Sequence, residues 1–196
     1  MRRRRSLLPA LLLAPVLIGA CGGADPQAEI GAAIAAAATS TDPADCTRLE
    51  TQSFVEQTEF TTGPAAVRAC RADASDASTD PDSVDVYRVE VDGDSATARA
   101  RFDGGSFDSQ TLVIDVVDDR GQWKVDRIAG IVDFDTGAYA SAFVRTATGG
   151  SGALRADQAA CVADRIRSSR PEALETALLS GDAEQVAVAI LRGCAG

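Results

Sequence analysis

Two stretches decide the fold: VEVDGDSATARARF at 89–102 and TLVIDVVDDRGQWKVDRI at 111–128. In the first, Val89 and Val91, with Tyr87 just before, alternate with Arg88 and Glu90. After Gly93, Ala96, Ala98, Ala100 and Phe102 alternate with Thr97, Arg99 and Arg101. A period of two places one set of side chains on one face of a strand. In the second stretch Leu112, Ile114 and Val116 are flanked by Val113 and Val117, so this strand is apolar on both faces over part of its length and reads as central. Asp118 to Gly121 turn the chain into a last strand, Gln122 to Ile128, with Trp123 and Val125 on one side. Turns as short as Asp92–Gly93, Asp103–Gly105 and Asp118–Gly121 join antiparallel neighbours, so the spacing predicts a meander of about four strands.

The flanks read as helices. Asp25-Pro26 is a helix start, with Asp at the N-cap and Pro at the first helical position, and the alanine-rich run 27–38 continues it. A second helix is expected from Cys46 through Leu49, Phe54 and Val55, with Phe60 near its end, and a short third over 65–72. Beyond the sheet, 135–146 carries Tyr139 and Phe143 four residues apart, on one helical face. Residues 148–152, TGGSG, form a linker, and 156–168, 171–179 and 182–192 suggest three short helices. Helices beside a separate antiparallel sheet make the class α+β, with a small C-terminal helical appendage at 153–196.

The N-terminus determines the compartment. Arg2 to Arg5 precede an apolar run, 7–20, that is shorter than the roughly 20 residues a spanning helix needs. Leu17-Ile18-Gly19-Ala20-Cys21 resembles the lipobox of bacterial lipoproteins. That resemblance implies a signal peptide at 1–20 and a diacylglyceryl group on the Cys21 sulfur. It also implies a lipidated tether at 21–25 and a cell-membrane location on the extracytoplasmic side. Two acyl chains suffice for stable anchorage. Without residues 1–20 the chain keeps 15 basic residues against 29 acidic ones, a net charge of −14. So acidic a chain is repelled by nucleic acid and by anionic headgroups, which leaves the lipid as the expected membrane contact.

Setting Cys21 aside leaves Cys46, Cys70, Cys161 and Cys194. Four cysteines in an exported chain allow two disulfides and three connectivities. The cysteines fall in two helical segments separated by the strands, and this grouping favours Cys46–Cys70 and Cys161–Cys194. Each loop would contribute about 3.5 kcal/mol by chain entropy. No CxxC spacing and no histidine are present, so a zinc site is not expected, and no cofactor is implied.

The stretch 84–128, and Gly121-Gln122-Trp123-Lys124-Val125 within it, resembles the small cone-shaped NTF2-like domains of bacterial lipoproteins. With the helical lead-in the resemblance covers roughly 26–135, and the whole domain is placed at 26–147. It implies a sheet wrapped around a helix with a pocket at the open end. Its members include isomerases, dehydratases and non-catalytic binding domains.

Chemistry is sparse. Without histidine, Ser-His-Asp and Cys-His catalysis are excluded. Lys124, the one lysine, reads as a solvent-facing strand residue. Asp126 and Asp133 are the catalytic candidates, since an aspartate facing an apolar cone gains a raised pKa and can act as a general base. The plainer reading is solvated turn aspartates. Asp133-x-Asp135-x-Gly137 and the aspartates at 73, 76, 80 and 82 invite calcium, but the twelve-residue loop with its terminal Glu is missing. The aromatic set Phe54, Phe60, Tyr87, Phe102, Trp123, Phe134 and Phe143 reads as mostly core. Three functions stay open: a binding or accessory lipoprotein whose cone holds a small apolar ligand or meets a partner protein, an aspartate-based isomerase or hydrolase, and a structural lipoprotein that docks an envelope protein through its helical appendage.

Overall fold

The computed structural model describes residues 25–75, 79–149, 154–180, 190 and 192–194. Cys21, the leader and most of the third C-terminal helix expected at 182–192 lie outside these residues. The element order is α1 (Pro26–Thr39), α2 (Asp45–Arg48), α3 (Gln52–Thr58), α4 (Pro64–Asp73), β1 (Ser83–Asp92), β2 (Ser95–Asp103), β3 (Thr111–Asp118), β4 (Trp123–Val132), α5 (Thr136–Gly149), α6 (Ala156–Ser168) and α7 (Pro171–Leu179). The four strands form one antiparallel sheet in the order β1-β2-β3-β4, with helices packed against it, so the class is α+β. No helix among the described residues is long and apolar enough to cross a membrane.

Helix α1 starts where the sequence places it: the Asp25 carboxylate accepts from Gln27 N at 3.0 Å, and Pro26 opens the first turn. Gly31 faces Val86 of β1, where an added Cβ would lie 3.7 Å from the Val86 side chain, and Ile30 and Ile34 are buried against the sheet. The helix touches β1 and β4, the two edge strands, and also β2. A helix meets both edges of a four-stranded sheet only if the sheet curves around it.

The curvature has a source in the register. Between Tyr87 and Glu90 β1 carries an extra residue relative to β2, and Arg88 there has φ 50°. Opposite β3, β4 carries two extra residues, at Asp126 and Ala129. Each bulge bends and twists its strand. Each also changes which face follows. Core-facing residues in β4 are Trp123, Val125, Ile128 and Ile131; in β1 they are Val84, Val86 and Val89. The period is therefore two, then three, wherever a bulge intervenes. Here the expectation for β1 is corrected: Tyr87 and Val91 are exposed, because the bulge puts Val89 on the face of Val86. In β2 strict alternation holds, with Ala96, Ala98, Ala100 and Phe102 buried. Strand β3 is paired on both sides, as its apolar faces predict.

The single helix expected from Cys46 is two. Between α2 and α3 the chain bridges to β4 at Glu50: Val125 N donates to Leu49 O, and Thr51 N donates to Val125 O, each at 2.9 Å. Thr51 then caps α3 by accepting from Phe54 N. The backbone hydrogen bonds to β4 outweigh helix continuation at those three residues. Strand β4 also runs four residues past Ile128, and α5 extends through Gly149, taking in the first two residues of the expected linker.

Both disulfides join the cysteines as grouped: Cys46–Cys70 ties α2 to α4, and Cys161–Cys194 closes the C-terminal helices. A second core of Ala140, Val162, Ala163, Ile166 and Leu174 is shared by α5, α6 and α7. Helix α7 also leans on β4, and its Leu178 packs against the first core.

Candidate functional site

Between α1 and the concave face of the sheet lies a cavity of about 460 Å³. Its floor is the sheet: Leu112 and Ile114 from β3, Val125 and Ile128 from β4, and Phe102 from β2. The C-terminal half of α1 supplies Ile34, Ala37 and Ala38, and α3 supplies Phe54 and Thr58. Tyr139 of α5 and Leu178 of α7 complete the wall, so the C-terminal helices help enclose the space. The lining is mostly apolar, and the volume falls in the range of small-molecule pockets. Alanine at 37 and 38 leaves room where larger side chains would fill the space.

A run of rings borders it. Phe102 and Phe107 have centroids 6.3 Å apart, Phe107 and Tyr139 6.1 Å, and Phe134 meets Tyr139 edge-on at 5.4 Å. Burial pushes the Tyr139 phenol above its ordinary pKa, so it stays protonated as a hydrogen-bond donor. Thr79, Asp80 and Pro81 form part of the rim against Gly104 and Ser106. This closeness requires glycine at 105: its φ is +64°, and a Cβ there would lie 2.5 Å from Thr79 O.

Three carboxylates line the cavity, from Glu59, Asp73 and Asp80, and among the described residues no lysine or arginine does. Glu59 ends α3 and is half-buried. Burial first, and the Asp73 charge second, raise its pKa above the ordinary 4.5. Glu50 lies deeper, its pKa pushed to about 7 by burial and then by the charges of Glu59 and Asp45. Its Oε2 sits 3.7 Å from Cys70 Sγ. The two cysteines and Glu50 form a compact trio, but both sulfurs are committed to the disulfide and offer a metal no thiolate.

The two catalytic candidates lie elsewhere. Asp126 is a bulge residue of β4; its Oδ1 accepts from the Thr51 hydroxyl at 2.9 Å, which fixes the residue that caps α3. Asp133 is exposed on a turn at φ 49°. Neither lines the cavity. The calcium spacing is also otherwise employed: Asp135 Oδ1 accepts from Gly137 N at 2.8 Å and Ala138 N at 3.0 Å, capping α5. Asp76 is outside the described residues. Lys124 is not the free surface residue expected; it pairs with Asp119 at 2.9 Å and donates to Thr47 O at 3.1 Å, with 16% of its side chain exposed. Of the aromatic set, Phe54, Phe60 and Phe102 reach the cavity, while Trp123, Phe134 and Phe143 pack in the two cores and Tyr87 is exposed. Sequence reasoning missed Glu59 and Phe107 and did not place Tyr139 at the site. Glu59 follows a helix and precedes an aromatic, a pattern with no signal of its own.

Compared with protein families, curated proteins and solved structures, the chain matches none.

Proposed function

We propose that this chain is a lipid-anchored, extracytoplasmic accessory protein of the NTF2-like kind, whose cone binds a small, largely apolar molecule. The observation that carries the reading is the cavity of about 460 Å³ held between α1 and a bulge-curved sheet, lined by aromatic and aliphatic side chains. Burying a ligand against such a lining yields about 25 cal/mol per Å² of apolar surface removed from water. The lipobox-like LIGAC supports attachment through Cys21. The four residues between Cys21 and Pro26 span at most about 17 Å, so the folded part stands close to the bilayer from which an apolar molecule would come. Absence of histidine, and the placement of Asp126 and Asp133 outside the cavity, favour binding over catalysis by those aspartates.

Native mass spectrometry of the protein extracted from its own envelope tests this reading. A chain beginning at a diacylglyceryl-modified Cys21 and carrying a non-covalent small molecule is the expected species. An unmodified Cys21 would remove the anchor. A chain that never carries a small molecule, and instead retains a protein partner, would favour docking.

A further inference from the structure

Resting on the reading of the cavity as a ligand site, we infer that its occupant is an amphiphilic cation, an apolar body bearing an ammonium head that seats beside Glu59. The cavity has two chemistries. Its walls are apolar, and its charged lining residues, Glu59, Asp73 and Asp80, are all acids. Among the described residues no hydrogen bond or cation reaches the Glu59 carboxylate; its charged neighbours are Asp73 and Glu50, both acids. A half-buried carboxylate without a counter-charge is costly, and the charge that would compensate it is one that no described lining residue supplies. An organic ammonium supplies that charge and also suits the walls. Phe54, Phe60, Phe102, Phe107 and Tyr139 line the cavity, and aromatic rings attract ammonium groups but not anions. A bare divalent ion is a poorer match, because it asks for six or more oxygens, whereas aromatic and aliphatic groups dominate here. The chain as a whole is acidic, with 29 Asp and Glu against 19 Lys and Arg, so its field draws cations and repels anions of the same shape.

The test is displacement of N-phenyl-1-naphthylamine, an uncharged apolar probe, from the purified protein by three decyl compounds, each kept below its micelle concentration or, for the alcohol, its solubility limit. Decyltrimethylammonium, 1-decanol and decanesulfonate share the chain and differ in the head. The ammonium is expected to displace the probe at a concentration about tenfold lower than decanol, and the sulfonate to be the weakest. Glu59→Gln should erase most of that preference. Asp73→Asn, at an exposed position, should reduce it in part and serves where Glu59→Gln does not fold. Equal displacement by the three heads, or a preference unmoved by both substitutions, overturns the inference while leaving the cavity a ligand site. Absence of saturable binding by the probe and by all three compounds overturns both.

Discussion

At the scale of single residues, Glu50 is the side chain whose surroundings oppose its charge. Its carboxyl is pushed to about 7 in the fold, against an ordinary 4.5. The sign follows from proton counts. Between these values the unfolded chain has released the proton and the folded chain still holds it, so stability falls as pH rises from about 4.5 to about 7 and stays lowered above that. Below 4.5 both states are protonated and the effect vanishes. Glu50→Gln removes the titration and keeps the shape. Thermal melts should show the variant more stable than the parent at pH 8, by on the order of 2 kcal/mol, and equal to it at pH 4. A gain of the same size at both pH values would mean that charge is not the cause.

At the scale of elements, the edge of β4 shows how side chains substitute for a fifth strand. Val125 is paired by the backbone of Leu49 and Thr51. Gln57 donates to Ile128 O at 2.9 Å and accepts from Ile128 N at 2.8 Å, while its amide also reaches Leu179 O at 3.1 Å. Glu175 Oε1 accepts from Ile131 N at 2.8 Å. An open edge invites pairing with other chains, and these contacts close it. Gln57→Ala leaves the Ile128 groups without partners and unties α3 from α7. It should cost about 2–3 kcal/mol in denaturant unfolding and speed amide exchange at Ile128 and Ile131 before β2 is affected.

The same strand shows what the sequence discloses and what it hides. The alternation in β2 is unbroken, so its buried face, Ala96 to Phe102, was legible residue by residue. The helix start at Asp25-Pro26 was legible for a local reason, a carboxylate and a proline placed by their own chemistry. The bulges at Arg88, Asp126 and Ala129 were not, because each depends on a partner strand and leaves only a shift from period two to three. The break at Leu49–Thr51 likewise depends on Val125, 74 residues or more along the chain. Glu59 was hidden for the same reason: only the fold brings it near the Asp73 charge and onto the cavity that Phe102 and Phe107 also line.

At the scale of the molecule, two cores are joined through one wall. The sheet core and the C-terminal core share Phe134, and Tyr139 and Leu178 of the C-terminal helices close the cavity. A small helical unit has little core of its own, and the Cys161–Cys194 bond, spanning 33 residues, compensates by about 3.5 kcal/mol in chain entropy. Cys161→Ser with Cys194→Ser should therefore loosen the C-terminal helices selectively. Hydrogen exchange should rise across α6 while β2 and β3 keep their protection; a uniform loss across both cores would show that the halves unfold as one.

Everything proposed for this protein depends on the space under α1 being a binding site. It is tested most directly by titrating the protein with N-phenyl-1-naphthylamine, beside a variant in which Ala38→Trp fills the cavity from the last turn of α1. Saturable binding of one probe per chain in the parent, and its loss in the folded variant, are the expected results. Non-saturable uptake by the parent, or binding that survives the filled cavity, would contradict it.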